Sequence, residues 1–514
     1  MKTNYSIGKH TQRSVYLILC ILCLMICAPL MSAEDLKKTK KYEYNWASLK
    51  SHPIPPWFDD AKFGIFIHWG PYSVLGYRKG GRGYAEHTPK EIYRNPEHYY
   101  KFMKDTFGAH PPQFGYKDVI PLFKAEKWNP DEWAELFHKA GAKYVVITAE
   151  HHDGFALWDS DLTQWCATKI GPKRDLIGEL AIAVRKKGMK YAPSYHRERH
   201  TGFYALEKYA IQSPPHPDIA EEIARMPKAA ELYGPFEYSD AFIEDYVARW
   251  KEIEKQYKPD FMWIDDIPIF YKVKPHAQTK KFRNAIMYMI ADYFNAAREW
   301  GKEVYLNNKG KNLNWPEGPG CLEKDNLMLE AIGPKWENPA TLGTSYGYLK
   351  AEEERDAYKS PTELIHLLCD VVSKNGNLLL NIGPRDDGTI PDGMKQRLLS
   401  IGKWLEVNGE AIYGTRPWGA FKQDTPALRF TTKGKVLYAI ALTKPTRPFV
   451  IQPTKDWKVG TVKKVTLLGS DSAIEWKETS EGIHITPPPT LPVKYAWAFR
   501  IERNADTYTH SNKE

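Results

Sequence analysis

Cysteine is scarce in this chain of 514 residues, which has six. Cys20, Cys23 and Cys27 fall near the N-terminus, leaving only Cys166, Cys321 and Cys369. Such an odd, scattered set gives no disulfide framework, and no Cys-x-x-Cys pair follows residue 33. The His-Glu-x-x-His spacing of zinc peptidases is missing as well. Runs of Lys and Arg of the nucleic-acid-binding kind are lacking despite a net charge of +9. No internal repeat is evident. These absences remove redox, zinc-peptidase and nucleic-acid classes, and the expectation is an enzyme with no cofactor and no metal.

The N-terminus reads as an export signal. Lys2, Lys9 and Arg13 precede Val15 to Leu30, which is almost wholly apolar, and Ser32-Ala33 offers small residues for cleavage. The run is short for a spanning helix. Residues 1–33 are therefore expected to be a signal peptide, and the protein periplasmic or extracellular, with lipid attachment at Cys27 the variant reading. The remaining positive excess suits a solvated surface, and equally an acidic or sulfated polysaccharide.

Aromatics are plentiful, at 13% of residues with 17 Trp. That suits the apolar faces of sugars, and equally a large aromatic core. Short apolar runs alternate with amphipathic stretches. Strands are expected at Phe63–His68, Tyr144–Thr148, Lys190–Tyr195, Phe261–Ile264, Glu303–Leu306, Asn326–Glu330 and Asn377–Ile382. Helical patterns lie between them, among them Asp240 to Tyr257 and Pro361 to Ser373. The fold class is α/β: a (β/α)8-like TIM barrel over residues 34–414, with one strand still to be found. After about residue 415 strands follow without helices, so residues 415–514 form a C-terminal antiparallel β-sandwich. Segments 96–125 and 198–240 read as insertions above the barrel.

Polar residues collect where the barrel strands should end: His68, then Glu150-His151-His152-Asp153, Tyr195-His196, Asp265-Asp266 and Asn307-Asn308-Lys309. One such His is ordinarily a core residue, and an Asp at a strand end can cap a helix. A set delivered to one rim points to a site. His151 and His152 are adjacent, and neighbours in an extended segment point apart, which weighs against a metal. Glycoside hydrolysis needs two carboxyl groups flanking one bond. Asp265 or Asp266, beside Trp263, suits the nucleophile. Glu337, on a loop after the Asn326 strand, suits the acid.

At these residues the chain resembles the α-L-fucosidases of glycoside hydrolase family 29. The resemblance lies in Ala61 to Gly70, in Gly141 to Tyr144 with His151 to Phe155, in Trp158-Asp159-Ser160, Lys173-Arg174-Asp175, Asn377 to Pro384 and Gly402 to Tyr413. It implies Asp265 as the nucleophile and Glu337 as the acid/base. It also implies His68, Glu86, His151, His152 and Tyr195 as sugar-binding residues, with Phe66 and Trp263 walling the sugar. Three departures stand out. Glu-Trp-Tyr becomes Glu86-His87-Thr88, Asn-Asp-Arg becomes Asn307-Asn308-Lys309, and the segment after Tyr195 carries His196, Arg197, Arg199 and His200. His87 and Lys309 join the candidate binding residues on that account.

The resemblance implies a retaining exo-α-L-fucosidase working by double displacement through a glycosyl-aspartate, on a glycan ending in α-L-fucose. Because His87 and Thr88 could admit a hydroxymethyl group, an exo-α-L-galactosidase acting on an algal galactan, sulfated or not, is the alternative. A non-catalytic sugar-binding protein is the third.

Overall fold

The computed structural model describes residues 33–80, 83–207, 210–265, 276–309, 320–323, 330–454 and 459–504. Eight parallel strands close a barrel in chain order. They are β1 (Phe63–Ile67), β2 (Tyr144–Glu150), β3 (Lys190–Tyr195), β4 (Phe261–Ile264), β5 (Tyr305–Asn308), β6 (Cys321–Glu323), β7 (Trp336–Thr341) and β8 (Gly376–Ile382). Each pairs with the next, and β8 pairs with β1 to close the ring. Strands buried on both faces read as continuous apolar runs, which is why β1, β2 and β4 show plainly in the sequence.

Two strands differ from expectation. Asn326–Glu330 falls largely outside the described residues. β6 is only three residues long, and β7, expected as loop, begins at Trp336. The segment Trp-Glu-Asn-Pro-Ala-Thr hides a strand because Pro339 and the polar residues speak against one. It is nevertheless buried throughout.

Phe58, Tyr144, Phe261 and Tyr305 fill the lower end of the barrel, and Phe66, Trp263 and Leu379 lie in the same interior cluster. Gly64 is required here. A side chain at that position would place its Cβ 2.5 Å from the Tyr144 ring. The Tyr144 ring thus lies flat against β1 and directs its hydroxyl inward.

The insertions are helical rather than loose. Helices Pro96–Phe107, Pro217–Arg225 and Ala229–Tyr233 meet above the barrel. Glu222 of the second ties the third to the preceding helix Thr88–Arg94: the hydroxyls of Tyr93 and Tyr233 donate to it at 3.1 and 2.5 Å. The C-terminal region forms a five-stranded and a three-stranded antiparallel sheet. Their shared core includes Trp418, Phe430, Leu437, Ile483 and Phe499. Strand Arg416–Gln423 edges the five-stranded sheet and Phe449–Ile451 edges the three-stranded one. The sandwich docks on the barrel through Trp404 Nε1, which donates to Ala496 O at 2.8 Å, and through Arg416, paired with Asp59 and Asp60. Among the described residues Cys166 and Cys369 are free and buried, and no helix is long and apolar enough to cross a membrane.

Candidate active site

The C-terminal rim of the barrel carries a cavity floored by Trp263. Strand alternation sets its lining. Phe66 and Trp263 point inward from β1 and β4, with ring centroids 4.9 Å apart. His68, one residue beyond β1, stands 4.5 Å from the Phe66 ring and 4.8 Å from Tyr346. Asn381 of β8 fixes its tautomer. The Asn381 amide donates to Tyr346 O at 2.7 Å, so its oxygen accepts from His68 Nδ1 at 2.7 Å. The Nε2 lone pair of His68 is thereby free to accept a hydroxyl proton.

His151 and His152 both face the cavity, with rings 4.3 Å apart. These neighbours do not point apart as an extended segment would require, because β2 ends at Glu150 and the chain turns there. His196 joins them, 5.1 Å from His151 and stacked 5.7 Å from Trp263. His87 stands 5.8 Å from His151 and 5.7 Å from His152. Burial holds these rings neutral. It pushes His68 down to about 3 and drives His87, His151 and His196 well below the usual histidine range. A neutral imidazole offers one donor and one acceptor, which matches a sugar hydroxyl. Ring nitrogens of His68, His151 and His196 lie within 4.8 Å of one another. So do those of His87, His151 and His152, and those of His152 and His196 with an Asp265 oxygen. Each set is close enough to hold a cation.

Asp265 immediately follows β4. Its Oδ1 pairs with Lys309 Nζ, and its Oδ2 lies 3.2 Å from His152 Nε2 and 3.7 Å from His196 Nδ1. Burial opposes its ionisation, but the Lys309 cation foremost outweighs that and the carboxylate is held well below its usual range. His152 Nδ1 faces His196 O at 2.7 Å. Its other ring nitrogen, Nε2, is the one that faces the carboxylate. Lys309 also sits 5.0 Å above the Trp263 ring. Asp266 lies outside the described residues.

Two expected site residues are elsewhere. Glu337 is fully buried in the barrel interior. Its Oε1 accepts from Tyr144 at 2.6 Å and its Oε2 from Trp263 Nε1 at 2.9 Å. It is the second residue of β7, and Tyr144 is the first of β2, so the carboxyl lies beneath the indole that floors the cavity. Burial raises it to about 7, the protonation expected of an acid, but in a place closed to substrate. Tyr195 points outward from the barrel: its hydroxyl donates to Tyr246 O at 3.0 Å and its ring packs on Tyr246 and Trp250. Alternation explains this. Ser194 and His196 face in, so Tyr195 must face out, and the period of two pointed to His196 in its place.

Glu86 does reach the rim, next to His87. Its Oε2 accepts from Gly347 N at 2.7 Å and Ser345 Oγ at 3.3 Å, and burial raises it to about 7. Asp153 turns away, accepting from Tyr116 at 2.5 Å. Phe203 and Arg199, from the 198–240 insertion, complete the rim. The Phe203 ring is 5.6 Å from His152, and the charge of Arg199 acts on Asp265, His152 and His87. Nothing in the local sequence distinguished Phe203 or Tyr346 from core aromatics.

The family model described as Alpha-L-fucosidase matches residues 30–410, and that of the Alpha-L-fucosidase C-terminal domain matches residues 422–502. Tissue alpha-L-fucosidase of Mus musculus is 33% identical over 479 residues, covering 90% of this chain and 95% of that protein. The Homo sapiens tissue enzyme is 33% identical over 504 residues, covering 94% and 96%. Among solved structures, the Thermotoga maritima alpha-fucosidase in complex with fucose superposes with a TM-score of 0.72 at 32% identity, covering 90% of this chain and 100% of that one.

Proposed function

The chain belongs to the α-L-fucosidase family of glycoside hydrolases, and on that footing we propose an exo-acting α-L-fucosidase that retains configuration through Asp265. The observation that carries this is the placing of Asp265: its carboxyl pairs with Lys309, faces His152 and His196, and stands at the edge of an aromatic floor. A terminal sugar enters the cavity with its apolar side against Phe66 and Trp263 and its hydroxyls among the imidazoles. That the T. maritima relative was solved with fucose supports fucose as the terminal sugar. Asp265 attacks the anomeric carbon, the bond to the departing oxygen breaks, and a glycosyl-aspartate forms. Water then hydrolyses it.

The departing oxygen needs a proton from a rim carboxyl. Among the described residues Glu86 combines the rim position with protonation near neutrality. Glu317 and Asp325 belong to stretches outside the described residues. Glu337 acts as the support of Trp263. No step calls for a metal or cofactor.

The test is hydrolysis of 4-nitrophenyl α-L-fucoside, with the anomer of the first product read by NMR. Retention and a loss of at least ~10³-fold in Asp265→Ala are expected. Inversion, or normal turnover by that variant, overturns the reading.

An exo-α-L-galactosidase is kept as the second reading because His87 brings a polar ring to the rim. A neutral imidazole there can pair with a sugar hydroxymethyl group, which an apolar wall would penalise. Matched α-L-fucoside and α-L-galactoside substrates separate the two. A protein that binds sugar without cleaving it is disfavoured by the ionised state of Asp265. We infer an exported protein from the apolar N-terminal run.

A further inference from the structure

Three imidazoles of the catalytic cavity form a near-equilateral triangle. The ring centroids of His68 and His151 are 5.8 Å apart, those of His68 and His196 5.5 Å, and those of His151 and His196 5.1 Å. One nitrogen of each ring lies within 4.8 Å of the other two. An ion bound to one nitrogen of each ring at about 2.0–2.1 Å, with tetrahedral angles, would set three such centroids about 5.2 Å apart. The triangle thus already has the size of a three-histidine metal site, and small rotations of the rings close it on an ion.

Each ring also has a nitrogen to give. Asn381 Oδ1 accepts from His68 Nδ1 at 2.7 Å, which leaves the Nε2 lone pair. Ser194 Oγ meets His196 Nε2, while His196 Nδ1 is buried with no hydrogen-bond partner among the described residues. His151 Nδ1 is buried and unpartnered in the same sense. Metal-bound imidazoles ordinarily carry a hydrogen-bond partner on the second nitrogen, the part that Asn381 and Ser194 take here. Asp265 Oδ2, 3.7 Å from His196 Nδ1, brings negative charge near a bound cation, and Lys309 on the other oxygen opposes it.

We propose that His68, His151 and His196 form a binding site for a divalent transition-metal ion of the zinc class, which inhibits the enzyme by taking the room of the sugar. Three nitrogen donors suit such an ion, whereas calcium and magnesium require a cage of oxygens. The ion is not a cofactor: it ties up the imidazoles that would otherwise meet sugar hydroxyls. Inhibition rests on the catalytic reading above; the ion's site does not.

The experiment titrates Co²⁺ into the tag-free full chain and follows its visible absorption, which is strong in a four-coordinate nitrogen site and weak in the hydrated ion. Wild type is expected to develop the strong bands, saturating at one ion per chain. Zn²⁺, which binds such donors more tightly, should erase them, and so should L-fucose or L-galactose. His68→Ala, His151→Ala and His196→Ala should each lose the bands. His87→Ala, which leaves this triangle whole, should keep them. With 4-nitrophenyl α-L-fucoside as substrate, Zn²⁺ at ten times its own Kd should raise KM about tenfold by mass action and leave kcat unchanged, and a chelator should restore KM. Absence of strong bands in wild type overturns the site, whether or not any alanine variant folds. Bands that survive in all three alanine variants overturn it too. So do bands indifferent to both sugars in an enzyme that cleaves the aryl glycoside. Failure to cleave the aryl glycoside strikes the catalytic reading instead, and the Co²⁺ bands of wild type then still decide the site.

Discussion

Trp263 donates its indole N–H to Glu337 across 2.9 Å, and that bond seats the floor of the catalytic cavity on a buried carboxyl. With Tyr144 taking the other oxygen at 2.6 Å, Glu337 is a positioning residue. Glu337→Gln should keep kcat/KM within roughly tenfold of wild type, because the amide can still accept from one partner. Glu337→Ala leaves two buried donors unsatisfied and should cost about 2–5 kcal/mol of stability, measured by chemical denaturation. An acid/base residue behaves otherwise: its alanine variant loses rate on poor leaving groups, keeps it on activated ones, and is rescued by azide. That pattern in Glu337→Ala, with unchanged stability, would restore it to the chemistry.

Tyr195 and His196 make a matched pair of controls. Tyr195→Phe removes only the hydrogen bond to Tyr246 O, and should cost about 1 kcal/mol of stability with kcat and KM unchanged. His196→Ala removes the ring that stacks on Trp263 and faces Asp265, and should lower kcat/KM by about 10²-fold or more. A larger kinetic loss in Tyr195→Phe than in His196→Ala would mean that β3 is in a different register.

That pair also shows where sequence reasoning carries and where it stops. Apolar periodicity located β1 to β4 and β8, and Asp265 and the rim histidines followed from the ends of those strands. It missed β6, which is too short to show a period, and β7, where Pro339 and polar residues mask a buried strand. Placing Glu337 on a loop rather than in β7 set it at the rim instead of in the interior. His196 was within reach, since alternation from Ser194 demanded it. Phe203 was not, because its place depends on how the 198–240 insertion packs against His87, Lys90 and His152.

The raised carboxyls and the buried histidines pull stability in opposite directions between pH 5 and 7.5. Burial raises Glu86, Asp153, Glu222 and Glu337 each to about 7. In the unfolded chain such groups titrate near pH 4. Between these values the folded protein holds protons that the unfolded chain releases, so each of these carboxyls contributes stability that falls until about pH 7 and then levels off. The buried histidines, lowered in the fold, contribute stability that grows as pH rises toward about 6.5. Glu222→Gln removes one such carboxyl and no histidine, so its Tm should gain on that of wild type between pH 5 and pH 7.5. Calorimetry of both proteins at the two pH values checks this. A Tm difference that stays constant with pH would show that Glu222 is ionised in the fold.

Lys309 is the lever on Asp265. Its ammonium is the first among the charges that keep the carboxylate ionised against burial. The free enzyme must hold Asp265 as the anion in order to attack. Lys309→Met removes the cation, so protonation of Asp265 becomes easier and the acidic limb of kcat/KM moves toward neutral pH. The alkaline limb belongs to the proton donor and should stay where it is. At pH 5 the variant should therefore lose far more activity than at pH 7.5, and Lys309→Arg should recover part of the profile while losing some rate, because a planar fork replaces a point charge. If Lys309→Met scales the whole profile down without moving its acidic limb, then Lys309 holds substrate and does not set the ionisation of Asp265.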